Sequence, residues 1–185
     1  MEIILLRHGK PDIELKGMAR AHEIPKYLQR YDEASVLETP PSHAIDLATG
    51  CDAVVCSSLI RSHHSATALG FDDIEIHNSL FDEIAMPHFK QGSMILPIHA
   101  WGIVYRLMSL FGFSLNGESY QRAKTRAKQA ASTLIDIASN YRRTLLIGHG
   151  FMNHFIGKEL LKQNWLGPKS PCKDYWSFGI YRKIR

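Results

Sequence analysis

Two arginines and two histidines sit just past short apolar runs in this 185-residue chain. Arg7-His8 follows residues 3–6, Ser57 and then Arg61 follow residues 53–56, and His149 follows residues 144–147. Brought together, they make a pocket of two guanidinium groups and two imidazoles, and the guest that suits it is a phosphate. The planar arginine fork matches phosphate oxygens in bidentate fashion, and charge-assisted bonds of that kind are strong. Positive neighbours disfavour protonation of a histidine, so a ring nitrogen keeps its lone pair near neutral pH and can act as a nucleophile. Phosphoryl transfer asks chiefly for positioning and for neutralised oxygens, which such a set supplies without Mg²⁺.

The elements that must position these groups are legible as an alternation. The runs 3–6, 53–56 and 144–147 are short, apolar, bounded by small residues and followed by helical patterns, as buried parallel strands are. Residues 74–77 alternate and suggest a further, more exposed strand, and residues 175–181 a last one. Between them, residues 59–69 read as a helix with Leu59, Ala66 and Leu69 near one face. Residues 119–140 read as the clearest helix, with Ala123, Ala127, Ala130, Leu134 and Ala138 on one stripe. Alternating strands and helices predict a three-layer α/β sandwich with a mostly parallel central sheet. Ligands of such sheets bind beyond the carboxyl ends of the strands, where Arg7, His8, Ser57, Arg61 and His149 all fall. Helix N-termini after the strands would add backbone N–H donors to the same anion.

Two stretches break the alternation. Residues 13–50 carry helix-like pieces around Pro25 and Pro40-Pro41, with Ser42 expected to cap a short helix that stops at Gly50. Residues 85–117 begin with Pro and Gly and then hold an apolar helix with a stripe at Trp101, Val104, Met108 and Phe111. Both are expected to wall or cover the site within a single domain spanning residues 1–185. The stripe reads as core or lid packing, and if exposed would be a natural homodimer contact.

Bulk properties narrow the function classes. Hydrophobic residues at 45% and charged residues at 22% belong to an ordinary globular protein. A net charge of +4 favours anionic ligands but, with basic residues spread out, does not suit nucleic acid. Cys51, Cys56 and Cys172 form no C-x-x-C pair, so a reducing, cytoplasmic location is expected. The leading apolar run is too short for a signal peptide, and residues 95–113 are interrupted by Pro97, His99 and Arg106, so no membrane association is expected. The pairs His63-His64 and His149/His154 lack the i, i+4 geometry of a zinc helix, and no metal or cofactor is expected.

The motifs Leu6-Arg7-His8-Gly9, Ser57-Ser58-Leu59-Ile60-Arg61-Ser62-His63-His64-Ser65-Ala66 and Gly148-His149-Gly150, in that order and each after a strand, resemble the histidine phosphatase superfamily, also called the phosphoglycerate mutase-like family. Asn116-Gly117-Glu118-Ser119 is similar to a G-E-S that opens a helix in many members. The resemblance implies a phosphohistidine on His8, phosphoryl binding by Arg7 and Arg61, and completion of the cradle by His149. It further implies a proton donor in Phe81-Asp82-Glu83-Ile84, with Glu83 first and Asp82 as the alternative. Gly9, Lys10, Ser57 and Gly150 join the expected phosphate- or substrate-binding set.

Lys10-Pro11-Asp12 and Phe151-Met152-Asn153 depart from the phosphoglycerate mutase pattern and point to a phosphatase acting on a phosphorylated small molecule. The alternatives are a mutase or a protein phosphohistidine phosphatase. From another class, the alternative is a phospho-ligand or partner-binding module without catalysis.

Overall fold

The first apolar run forms the strand expected of it: β1 spans Glu2–Arg7, and Ile3, Ile4, Leu5 and Leu6 are fully buried. The structure, a computed structural model, describes residues 1–72, 74 and 76–183. After β1 come β2 (Met18–Arg20), α1 (Ile24–Asp32), α2 (Ser42–Thr49), β3 (Ala53–Cys56), α3 (Ile60–Ala68) and β4 (Ile76–His77). The second half holds β5 (Ile95–Pro97), α4 (Ile98–Leu110), α5 (Tyr120–Asn140), β6 (Arg143–Gly148), α6 (Gly150–Lys162), β7 (Trp165–Leu166) and β8 (Phe178–Lys183).

One sheet organises the chain, in the order β4-β3-β6-β1-β8-β7. β4, β3, β6 and β1 run parallel to one another, whereas β8 runs antiparallel to β1. Successive side chains of a strand point to opposite faces, and both faces here are covered. Ile3, Leu5 and Leu146 pack with the alanine stripe of α5 and with Met152, Ile156 and Leu160 of α6. Ile4, Leu6, Leu145 and Ile147 pack with α2 and with Ala66 of α3. Ala123, Ala127, Ala130 and Leu134 are fully buried, so α5 lies against the sheet along the expected face.

A second, smaller assembly is made from the two irregular stretches together. β2 and β5, though far apart in sequence, pair antiparallel through Met18↔Pro97, Ala19↔Leu96 and Arg20↔Ile95. Around them Ala19, Ala21, Ile24, Ile98, Trp101 and Tyr105 form a core of their own. Trp101 Nε1 donates to the Ala19 carbonyl at 2.8 Å and Tyr105 Oη to that of Ala21 at 3.1 Å, so the buried aromatics are also hydrogen-bonded. The stretch 13–50 thus divides: α1 joins this assembly and α2 packs under the sheet.

Several expectations need correction in detail. Ser42 is the first helical residue and Pro41 the cap, with no side-chain capping bond. Residues 175–177 make a turn held by Ser177 Oγ and Asp174, and the last strand starts at Phe178. In the expected strand 74–77, Glu75 lies outside the described residues and pairing is seen at Ile76–His77. Phe111 caps α4 and is 83% exposed, because the buried face of that helix runs through Ile98, Trp101, Tyr105 and Ser109. The buried face of α3 is mostly polar, Arg61, Ser62 and Ser65 beside Ala66, which an apolar-periodicity reading does not find. Among the described residues, no helix is long and apolar enough to cross a membrane.

Candidate active site

β1 ends at Arg7, and His8 follows it into the interior, where only 2% of the residue is exposed. The ring has one settled tautomer. Its Nδ1 lies 2.6 Å from the Gly9 carbonyl, which can only accept, and Arg61 Nε, which can only donate, lies 3.3 Å from Nε2. The proton therefore sits on Nδ1 and the lone pair on Nε2. Burial, then the Arg61 charge, brings the His8 pKa down to about 3, so the imidazole is neutral at pH 7.

Arg61, on the first turn of α3, is 2% exposed and is held by an ion pair of Nη1 with Asp32 at 2.8 Å. Arg7 stacks over the Tyr175 ring at 4.2 Å and donates Nη1 to the Lys173 carbonyl, while its buried Nε has no protein partner.

His149 caps the start of α6, fully buried, with its ring 5.0 Å from that of His8. Its Nε2 is 2.7 Å from Ser57 Oγ, and its buried Nδ1 has no protein partner. Ser57 accepts from the Leu59 N–H, and its one hydroxyl proton can reach either Ser62 Oγ at 2.8 Å or His149 Nε2. When that proton points to His149, the ring proton is on Nδ1, a free donor toward an anion beside His8. Burial and the charge of Arg61 hold the His149 pKa well below its ordinary value.

The two candidate acids differ in place. Glu83 lines the same cavity as Arg7, His8 and Arg61, whereas Asp82 commits both oxygens to Ser58. Glu83 accepts the Phe151 and Met152 N–H groups at the start of α6, at 3.3 and 3.1 Å. Those helix donors, expected to serve an anion, are thus taken by a carboxylate. The turn carrying Glu83 is fixed from α5. Arg126 donates Nη1 to the carbonyls of Leu80 and Asp82 at 3.0 and 2.7 Å and pairs with Glu118 at 2.6 Å. Ser119 caps α5 by accepting from the Arg122 N–H, so Glu118-Ser119 acts as a brace for the 79–83 turn.

Other expected residues serve differently. Lys10 is exposed and outside the cavity lining, because Lys10-Pro11-Asp12 turns away to bond Glu38 and Ser35 through its backbone. Gly9 gives its N–H to Ser65 Oγ at 2.8 Å. A Cβ there would collide with Trp176 and Val36, so its smallness serves packing and not an anion's approach. Ser57 meets His149 Nε2 and does not line the cavity itself. Gly150 does line the cavity, where an added Cβ would stand 3.6 Å from Arg7 Nε. His63 and His77 face each other at 5.4 Å, yet among the described residues no three His, Cys, Asp or Glu side chains gather as metal ligands.

Sequence reasoning missed Asp32, Tyr31, Arg106 and Tyr175. Arg106, from α4, stacks over Phe151 at 3.9 Å and reaches to 4.0 Å from Glu83. Arg106 was visible only as a charge interrupting an apolar run. Tyr31 and Asp32 end α1, and nothing in their spacing marks them.

The site opens into a cavity of about 530 Å³ whose walls come from the sheet's C-terminal edge, the smaller assembly and residues 170–173. No protein-family model and no curated protein sequence matches the chain. Its fold, however, matches solved structures. It superposes on the product of an open reading frame of Mycobacterium tuberculosis with a TM-score of 0.63 at 17% identity, over 97% of this chain and 89% of that one. Against a mycobacterial glucosyl-3-phosphoglycerate phosphatase the TM-score is 0.58 at 20% identity, over 87% and 79%. Against the α-ribazole phosphatase of Shigella flexneri it is 0.54 at 20% identity, over 86% and 79%. The fold shared with these structures is the phosphoglycerate mutase-like α/β sandwich.

Proposed function

We propose that the chain is a histidine phosphatase, a metal-independent phosphomonoesterase that works through a phosphohistidine on His8. The observation that carries this reading is the imidazole itself: neutral, oriented by the Gly9 carbonyl, with Nε2 presented beside Arg61 in an anion-suited pocket.

In the first step Nε2 attacks phosphorus in line with the ester oxygen. As the N–P bond forms, the P–O bond to the leaving group breaks and Glu83 delivers a proton to the departing oxygen. Arg7, Arg61 and His149 Nδ1–H neutralise the equatorial oxygens, a task for which the unpartnered Arg7 Nε and His149 Nδ1 are suited. In the second step Glu83 takes a proton from water, the oxygen attacks phosphorus, and the P–N electron pair returns to Nε2 as inorganic phosphate leaves. The walled cavity favours a small-molecule ester over a phosphoprotein, and the names of two of the structural neighbours, both phosphatases, agree with hydrolysis. Three free cysteines, Cys56 and Cys172 buried, support a reducing, cytoplasmic setting.

Turnover of p-nitrophenyl phosphate in the presence of a chelator tests the proposal. Wild type is expected to be active, and His8→Ala to lose at least about 10⁴-fold in kcat. Trapped enzyme should carry an acid-labile, base-stable phosphoryl group. Activity surviving in His8→Ala would sink the mechanism, and its abolition by the chelator would restore a metal.

A further inference from the structure

The phosphoryl end of the cavity is polar, but the part that would surround the rest of an ester is not. Leu15, Leu28 and Met86 line it from the smaller assembly, and Phe151 lines it from α6. The first three are the partly buried fringe of the Ala19–Ile24–Trp101–Tyr105 core. Their backs are packed, so they face the cavity as a fixed apolar roof. Phe151, with Arg106 over its ring at 3.9 Å, is still 44% exposed.

Most polar groups of the interior are already engaged; the lining also holds His154 and Arg106, the latter over the Phe151 ring and 4.0 Å from Glu83. Arg61 Nη1 is on Asp32, Tyr31 Oη is 3.3 Å from Tyr175 Oη, and Glu83 is on the α6 N–H groups. Ser170 and Lys173 also line the cavity, but both are exposed, at its rim. A polyhydroxylated body would lose water against the roof and find few open partners there, whereas a hydrocarbon body would gain from each buried carbon. A volume of about 530 Å³ is within the range of small-molecule sites and exceeds what a three-carbon body needs.

We propose that the substrates are phosphomonoesters of apolar alcohols, with an alkyl or aryl body of several carbons packed between Phe151 and the Leu15–Leu28–Met86 roof. This rests on the phosphatase reading for the direction in which the ester lies, with phosphate at His8.

The test separates the two. Binding of n-alkylphosphonates, from methyl to hexyl, is measured by calorimetry on the intact protein, since a phosphonate carbon cannot leave. Affinity is expected to rise with each methylene, by up to about fourfold per step while the chain stays under the roof. Met86→Ser and Leu28→Asn should weaken hexylphosphonate more than methylphosphonate. Affinity independent of chain length, or 2,3-dihydroxypropylphosphonate bound more tightly than hexylphosphonate, would overturn the proposal. Turnover of p-nitrophenyl phosphate by the same protein reports on the underlying reading. Turnover with flat phosphonate affinities removes the apolar subsite alone, and chain-length-dependent affinity with no turnover of any ester removes the phosphatase and keeps the subsite.

Discussion

The two ends of the cavity are built by opposite means. At the sheet's edge, His8, Arg61, His149, Ser57, Ser62 and Ser65 are buried polar groups, tied to one another within a few residues of strand ends. On the facing side, the roof stands on a small apolar core joined by three-residue strands and two aromatic hydrogen bonds. The first arrangement leaves little freedom, because moving one member strands another in a low-dielectric interior. The second asks only for volume and apolarity, which many side chains satisfy. On the proposed function, chemistry falls to the sheet edge and choice of substrate to the cover.

The largest expected effect tests whether the acid belongs to the sheet end. Glu83→Gln should slow phosphorylation of the protein by an alkyl phosphate, read in a single turnover, by about 10²–10⁴-fold and that by p-nitrophenyl phosphate far less, since the better leaving group needs no proton. Asp82→Asn, which loosens the Ser58 contact, should not change the dependence on leaving group. Equal loss of that first step on both esters in Glu83→Gln would move the acid elsewhere.

A second change asks whether the cover is a separate unit. Trp101→Ala should cost the cover about 3–5 kcal/mol, the usual loss for a buried large aromatic. Hydrogen exchange should then quicken in residues 18–32 and 95–110 while β1 and β6 stay protected. A matching rise in β1 would show that the two regions unfold as one and would remove the contrast.

The smallest effect concerns the buried imidazoles. Between the ordinary histidine value and the His8 pKa of about 3, the unfolded chain binds protons that the folded chain refuses, so stability rises with pH across that window and is complete above about 6.5. Going from about pH 7 to about pH 5.5, wild type should lose about 1 kcal/mol more unfolding free energy than His8→Gln, as read by urea denaturation.

The same contrast explains what the sequence disclosed. Arg7, His8, Arg61 and His149 were legible because a buried strand followed at once by charge is unusual, and because the alanine stripe of α5 fixed a helix on the sheet. The cover was not. β2 and β5 are three residues each, and their pairing is created by contacts between segments about 75 residues apart, which no local pattern encodes. Asp32 reaches Arg61 only because α1 lies over the sheet edge. Lys10 lies outside the cavity lining, since adjacency to His8 along the chain does not set the direction taken at Pro11.

The position of β1 in the sheet has a consequence for how the protein is made. It lies between β6 and β8, whose residues are 143–148 and 178–183. The strand that leads into His8 is thus synthesised long before either neighbour, waiting through more than a hundred residues of elongation for them. Folding dominated by such distant pairings is slow, and the apolar run 3–6 is exposed throughout the wait. On the ribosome the pocket around Arg7 and His8 has no half-finished form, because its walls arrive only with β6, α6 and the residues that lead into β8.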